Sequence, residues 1–313
     1  MNGLLMSFVL LIVGFVLLIK GADFFVDGSS NVAKMLKVPP IIIGLTIVAM
    51  GTSLPETAVS VTASITNNNA LAVSNAVGSN IFNLLVVTGC SCLFVPMAVQ
   101  MKTLKEEFPF SIFCALLLLG LGFVGMTLTR FDGIILLVIF AAYLIWMVRS
   151  ALKARAQAED TKEETLPIWK CIVFIIGGGV AIKFGGDFVV DSASTIAARF
   201  GMSQNLIGLT IVALGTSLPE LVTSIVAARK NEVDMALGNV IGSNIFNILL
   251  VLGVAAAISP IDFIMENVID IVVLAIMSVI VWIFGFTKRT LDKKEGICML
   301  LMYAAYMVYI FMR

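Results

Sequence analysis

Residues 43–56 read IGLTIVAMGTSLPE, and residues 207–220 read IGLTIVALGTSLPE. Thirteen of fourteen positions are identical at a shift of 164. At the same shift GSNIFN stands at 78–83 and again at 242–247, identical throughout. Upstream, Gly21, Asp23, Phe24 and Asp27 align with Gly185, Asp187, Phe188 and Asp191. No gap is needed over this length, so the chain is an internal duplication and each half is one structural unit.

The composition says where that unit lives. Of 313 residues, 60% are hydrophobic and 13% charged, with a mean hydropathy of +1.07. A soluble domain is roughly 25% charged. Twenty Lys+Arg balance twenty Asp+Glu, so there is no basic field to hold nucleic acid. The apolar content excludes disorder. The chain reads as an all-α integral membrane protein. A span needs about 20 apolar residues, and apolar segments predict ten helices near 4–30, 39–65, 70–96, 108–127, 131–149, 167–197, 205–228, 234–258, 266–286 and 295–312. No Lys or Arg precedes the first segment, Lys20 being the first charge, and the segment has a partner in the second half. It is therefore expected to be a span and not a cleaved signal.

Arg149, Lys153, Arg155, Glu159, Asp160, Lys162, Glu163 and Glu164 make the only long polar stretch. It divides the chain into a first repeat (1–149), a linker (150–166) and a second repeat (167–313), with five spans in each repeat. An odd number of spans inverts the second copy, the pattern of secondary transporters whose site lies at the repeat interface. With the N-terminus outside, fifteen of the twenty basic residues fall on inward loops and three (Arg130, Arg199, Arg313) outward, while Lys20 and Lys183 fall within spans. This bias predicts both termini outside and a cytoplasmic linker, in the inner or plasma membrane of a prokaryote.

Histidine is absent, which removes the commonest general base and the usual zinc ligand. The cysteines (Cys90, Cys92, Cys114, Cys171, Cys298) lie in apolar runs, and Cys90-x-Cys92 has no matching second pair, so they read as packing. Neither a cofactor nor a protein partner is indicated.

Glu56 and Glu220 are the conspicuous residues. A carboxylate at the membrane centre costs about 2.5–3.5 kcal/mol on insertion scales. No Lys or Arg lies in the middle of either helix, so the compensation is protons or a bound cation. Pro55 and Pro219 deprive the carbonyls of Gly51 and Gly215 of their helical donors. Broken helices at membrane depth are tolerated where backbone lines a cavity or is buried in protein. Helical spacing puts Ala49, Thr52, Ser53 and Glu56 together, and in the second copy Ala213, Thr216, Ser217 and Glu220. Asn75, Ser79 and Asn83 form a stripe on the next helix, as do Asn239, Ser243 and Asn247. Such stripes also bond helices to each other, and Gly78 and Gly242 suggest close packing. The donors are all oxygen, which suits Ca²⁺ and the similarly sized Na⁺. One Ca²⁺ or two Na⁺ would neutralise two carboxylates, so competition at one site is a natural basis for exchange.

With GTSLPE and GSNIFN each present twice, the sequence resembles the sodium/calcium exchanger family of the calcium/cation antiporter superfamily, in its short prokaryotic form. The resemblance covers nearly the whole chain. It implies that Glu56 and Glu220 are central Ca²⁺ ligands, with carbonyls from Thr52 and Thr216. It further implies that Ala49, Ser53 and Ser79 line one Na⁺ site and Ala213, Ser217 and Ser243 another, with Asn83 and Asn247 near the centre. Some relatives, notably potassium-dependent ones, carry Asp where this chain has Asn247. The first and sixth helices are expected to slide across the other eight. The expected activity is Na⁺/Ca²⁺ antiport by alternating access, with three Na⁺ per Ca²⁺. The alternatives are H⁺/Ca²⁺ antiport and a carboxylate-lined cation channel. Enzyme activity is not expected, since Ser53 and Ser217 have no base. Asp23, Asp27, Asp187 and Asp191 read as lying toward the ends of their spans, serving as interfacial caps or in ion access.

Overall fold

A computed structural model describes residues 2–65, 69–157, 164–202, 207, 211 and 213–313. Its helices are α1 (Asn2–Leu36), α2 (Pro40–Thr52), α3 (Leu54–Ile65), α4 (Ala72–Phe94), α5 (Thr103–Phe123), α6 (Arg130–Gln157), α7 (Ile168–Arg199), α8 (Leu218–Arg229), α9 (Val233–Ile258), α10 (Met265–Lys288) and α11 (Lys293–Met312). Among the described residues eight helices are long and apolar enough to cross a membrane, or nine when the bent pair α2–α3 counts as one. The protein is thus a multi-pass membrane protein. The start of the span expected at 205–228 lies outside the described residues, and its described part is the turn Ala213–Gly215 followed by α8.

The span placed at 39–65 carries the break expected at Pro55, as two helices meeting at Ser53 with a bend of 50°. Several expected boundaries need correction. The helix placed at 131–149 runs on to Gln157, into the stretch assigned to the linker. Residues 150–157 are mostly Ala, Lys, Arg and Gln, which are good helix formers, and the charges ride on a helical extension beyond the apolar part. The first span reaches Leu36 instead of ending near 30, because small and polar residues from Gly28 onward are shielded by protein. The fourth begins at Thr103 and stops at Phe123, where Gly125 (φ +79°) and Met126 (φ 51°) turn the chain.

The long helices α1 and α7 pack antiparallel along a glycine seam. A Cβ on Gly14, Gly21 or Gly28 would lie 2.9 Å from the carbonyl oxygen of Gly185, Gly178 or Cys171 respectively. The α1 positions rise by seven while those of α7 fall by seven, the repeat that keeps one helical seam in contact. With lipid as solvent, apolar surface alone does not hold helices together, and close backbone approach supplies the packing. The outer faces of α1, α6 and α7 carry exposed Ile12, Val138 and Ile176, as lipid contact requires.

α4 and α9 are mostly buried. α9 lies against α2 so closely that a Cβ on Gly44 would sit 2.5 Å from the Met235 carbonyl, and one on Gly238 2.6 Å from the Ile41 carbonyl. Gly242 meets Leu45 and Ala49, as its spacing suggests. The repeat-equivalent neighbours of Gly78 fall at 209 and 213, outside what is described there.

Short strands tie the halves together. β1 (Met97–Ala98) pairs antiparallel with β4 (Thr290–Leu291), and β2 (Thr127–Leu128) with β3 (Ile261–Asp262). Two-residue ladders give no readable alternation, so sequence offers no signal for them.

Candidate functional site

The two copies of GTSLPE meet at the centre. In the first, Pro55 cannot donate to Gly51, and the helix breaks at Ser53 (φ −84°, ψ 11°). In the second, Ser217 takes nearly the same geometry (φ −94°, ψ 5°) ahead of Pro219. Each break starts a new helix with its glutamate in the first turn, Glu56 on α3 and Glu220 on α8. A carboxylate there is favoured by the positive end of the helix dipole. A Cβ would be crowded at both breaks. A Cβ on Gly51 would meet Phe25 of α1 at 2.7 Å, and one on Gly215 would meet Val190 of α7 at 2.1 Å. The seam helices therefore press directly on the broken segments.

The serine of each copy reaches the glutamate of the other. Ser53 Oγ donates to Glu220 Oε1 at 3.0 Å, and Ser217 Oγ lies 3.2 Å from Glu56 Oε1 and 3.0 Å from Ser79 Oγ. Ser79 Oγ donates to Glu56 Oε1 at 3.4 Å, and Ser243 lies beside Glu220. Glu56 and Glu220 are both 0% exposed. Among the described residues no Lys or Arg pairs with either one, and Oε2 of each has no hydrogen-bond partner. Two facing buried carboxylates with spare oxygens form an incomplete polar cluster.

The surrounding polar groups fix this geometry. Thr52 Oγ1 sits 3.0 Å from Asn239 Oδ1, and Asn239 Nδ2 donates to Ser224 Oγ at 2.9 Å. Asn75 Nδ2 donates to Ser60 Oγ at 3.2 Å in the first copy. Asn75 and Asn239 are thus braces beneath the glutamates. Among the described residues Thr216 Oγ1 has no hydrogen-bond partner, and Ala49 is buried. Of Ala213 only the backbone is described, so its expected place beside Ser217 and Ser243 lies outside the described side chains.

Asn83 and Asn247 are fully buried, and each opens a π-helical turn, at Asn83–Val87 and Asn247–Val251. Such turns often mark functional positions. Among the described residues no hydrogen bond joins either to a carboxylate. Asn247 Nδ2 donates to Asn80 Oδ1 at 3.1 Å, and both side-chain polar atoms of Asn83 lack partners among the described residues.

The spacing argument missed Asn80 and Asn244. Their side chains exchange hydrogen bonds with each other's carbonyls, Asn80 Nδ2 to Asn244 O at 3.1 Å and Asn244 Nδ2 to Asn80 O at 3.2 Å. The signal was available, since both belong to the repeated GSNIFN. Ser60 and Ser224, one turn beyond each glutamate, were equally legible.

A cavity of about 500 Å³ opens beside the site, lined by Pro55, Ala58, Asp187, Asp191, Thr216 and Pro219. It stops short of the buried carboxylates. The capping reading of Asp23, Asp27, Asp187 and Asp191 is wrong, because all four lie inside α1 or α7, where no helix end exists to cap. Asp187 and Asp191 face the cavity, whereas Asp23 and Asp27 bind Lys230 at 3.5 Å and 2.7 Å.

Comparison with known proteins places the chain among relatives. The family model described as sodium/calcium exchanger protein matches residues 6–149 and 170–312. The putative antiporter CaxA of Alkalimonas amylolytica is 41% identical over 327 residues, covering 98% of this chain and 99% of that protein. The sodium/calcium exchanger MaX1 of Methanosarcina acetivorans is 31% identical over 345 residues, with 98% and 99% covered. A solved structure of the sodium-calcium exchanger NCX_Mj, soaked with 2.5 mM Na⁺ and 10 mM Sr²⁺, superposes with a TM-score of 0.86 at 31% identity, covering 97% of this chain and 99% of that one.

Proposed function

Because the chain belongs to the sodium/calcium exchanger family, a family of cation antiporters and not of enzymes, we propose that it exchanges Na⁺ for Ca²⁺ at Glu56 and Glu220 by alternating access. The observation that carries this reading is the reciprocal bonding of Ser53 with Glu220 and of Ser217 with Glu56, around two carboxylates without a basic partner. An oxygen-only cluster of charge −2 suits a hard cation, Ca²⁺ taking 6–8 oxygens at about 2.3–2.6 Å. Glu56 and Glu220 supply the charge, Thr52 and Thr216 the carbonyls at the breaks. Ser53 and Ser79 with Ala49 form one flanking Na⁺ position, and Ser217 and Ser243 with Ala213 the other. Asn83 and Asn247 are neutral supports.

Antiparallel packing of the repeat-equivalent helices α1 and α7 supports inverted five-span repeats, 1–149 and 167–313. The basic bias supports termini outside and a cytoplasmic linker, in a prokaryotic inner membrane. On that topology the cavity with Asp187 and Asp191 faces outward. The NCX_Mj structures are described in terms of extracellular ion exchange and binding-site occlusion, which suits an outward cavity closed above buried ligands. Two ionised glutamates are neutralised by one Ca²⁺, and three Na⁺ leave +1, so the cycle is electrogenic.

Calorimetric titration of purified protein with Ca²⁺ tests the site. Binding weakened competitively by Na⁺, and lost in folded Glu56→Gln and Glu220→Gln, is the expected result. Unchanged Ca²⁺ affinity in both variants would remove these carboxylates from the site.

A further inference from the structure

The duplicated halves are not equally closed. On α7, Val190 and Gly186 line the open cavity and Asp187 and Asp191 are exposed. Their repeat equivalents on α1 are Val26 and Ala22, both 0% exposed, and Asp23 and Asp27, partly covered. Against Asp23 and Asp27 lies the short connection between α8 and α9. Lys230 Nζ reaches Asp27 Oδ1 at 2.7 Å, Asp23 Oδ1 at 3.5 Å and the Asp23 carbonyl at 3.1 Å. Two residues on, Glu232 accepts a hydrogen bond from Ser30 of α1.

Among the described residues only the α1 side is held in this way, and the sequence offers a reason. Shifted by 164, Arg229, Lys230, Asn231 and Glu232 become Ile65, Thr66, Asn67 and Asn68. The acidic residues of the seam helices are kept in both repeats, but the basic and acidic partners stand in one connection only. Asp187 pairs with Lys183 of its own helix, as Asp23 also does with Lys20 at 3.7 Å, and a pair within one helix ties that helix to nothing that moves relative to it.

We infer that Lys230, gripping Asp23 and Asp27 and seconded by Glu232 on Ser30, is a latch that holds the α1 side of the pathway shut and makes the form open beside α7 the resting one. This rests on the alternating-access reading above, in which α1 and α7 shift against the remaining helices. When they shift, α1 must leave the α8–α9 connection, and this cluster breaks. The neutral residues 66–68 offer no equivalent ion pair to the opposite state. The pair is only half-buried, with side-chain exposures of 30% for Lys230 and 46% for Asp27. It therefore shifts a balance between two states without locking one of them.

The test is alkylation in liposomes of single reporter cysteines, on a background with the five native cysteines replaced. Val26→Cys reports opening on the α1 side and Val190→Cys on the α7 side. With Lys230→Gln, the Val26→Cys rate is expected to rise about three- to tenfold and the Val190→Cys rate to fall. Exchanging the charges, Asp27→Lys with Lys230→Asp, is expected to return both rates toward the parent. If Val26→Cys responds to Na⁺ and Ca²⁺ but not to Lys230→Gln, the latch is wrong and alternating access stands. Equal increases in Lys230→Gln and in the charge-exchanged variant would mean lost packing and would also overturn it. A Val26→Cys that stays inert in every variant and ion condition would overturn the alternating-access reading together with the latch.

Discussion

Ser53 of the first repeat donates a 3.0 Å hydrogen bond to Glu220 of the second, and the mirrored contact joins Ser217 to Glu56. Neither half holds a complete site. A hydrogen bond to a charged group is worth about 1.5–3 kcal/mol, and roughly 1.4 kcal/mol is tenfold. Ser53→Ala and Ser217→Ala are each expected to raise the half-saturating Na⁺ concentration or lower exchange by about tenfold or more, with yield and melting temperature near the parent. Full exchange at the parent's Na⁺ dependence would show that the serines only pack.

The proposed stoichiometry follows from charge. With Asn at 247 in place of an acid, the proposed site holds two carboxylates, and the proposed three Na⁺ per Ca²⁺ would move one net charge. Each charge crossing the membrane is worth about 2.3 kcal/mol per 100 mV. Reversal potentials in proteoliposomes with set Na⁺ and Ca²⁺ gradients are expected to follow three to one. Flux indifferent to voltage would require an electroneutral cycle.

The contact of α9 with α2 leaves no room for a methyl group. Gly238→Ala would place a Cβ 2.6 Å from the Ile41 carbonyl. Backbone on the far side cannot yield cheaply, and overpacking typically costs about 1–3 kcal/mol. Thermal unfolding in detergent is expected at lower temperature for Gly238→Ala and unchanged or higher for Gly177→Ala, whose Cβ would meet no other described part of the protein within 4 Å. Equal melting temperatures in the two variants would contradict the packing described.

The central polar cluster was more legible than the fold around it. Glu56, Glu220 and their serines stand out because charge in an apolar run needs a reason, and duplication doubles the signal. The bend at Ser53 followed from Pro55. The bond between Asn80 and Asn244 did not follow, since a residue's place within a repeated motif does not say which groups face it across the interface. The extension of α6 to Gln157 was hidden because polarity reads as linker while the same residues favour helix. The glycine seam of α1 and α7 has a seven-residue period visible in Gly14, Gly21 and Gly28, but its partner is set by tertiary packing.

Topology has its own check. A cysteine at exposed Gln157, at the end of α6, is expected to resist impermeant reagents applied to intact cells and to react in inverted vesicles. The opposite pattern would reverse the orientation and exchange the two sides assigned to the cavity and to Lys230.

Calcium-45 uptake into proteoliposomes of the purified chain, loaded in turn with Na⁺, K⁺ or an acidic buffer, tests the central claim most directly. Uptake driven by outward Na⁺ gradients alone, and absent in Glu56→Gln and Glu220→Gln, is the predicted result. Equal uptake without Na⁺ inside, driven by protons or requiring no counter-ion, would contradict Na⁺/Ca²⁺ exchange at these two carboxylates.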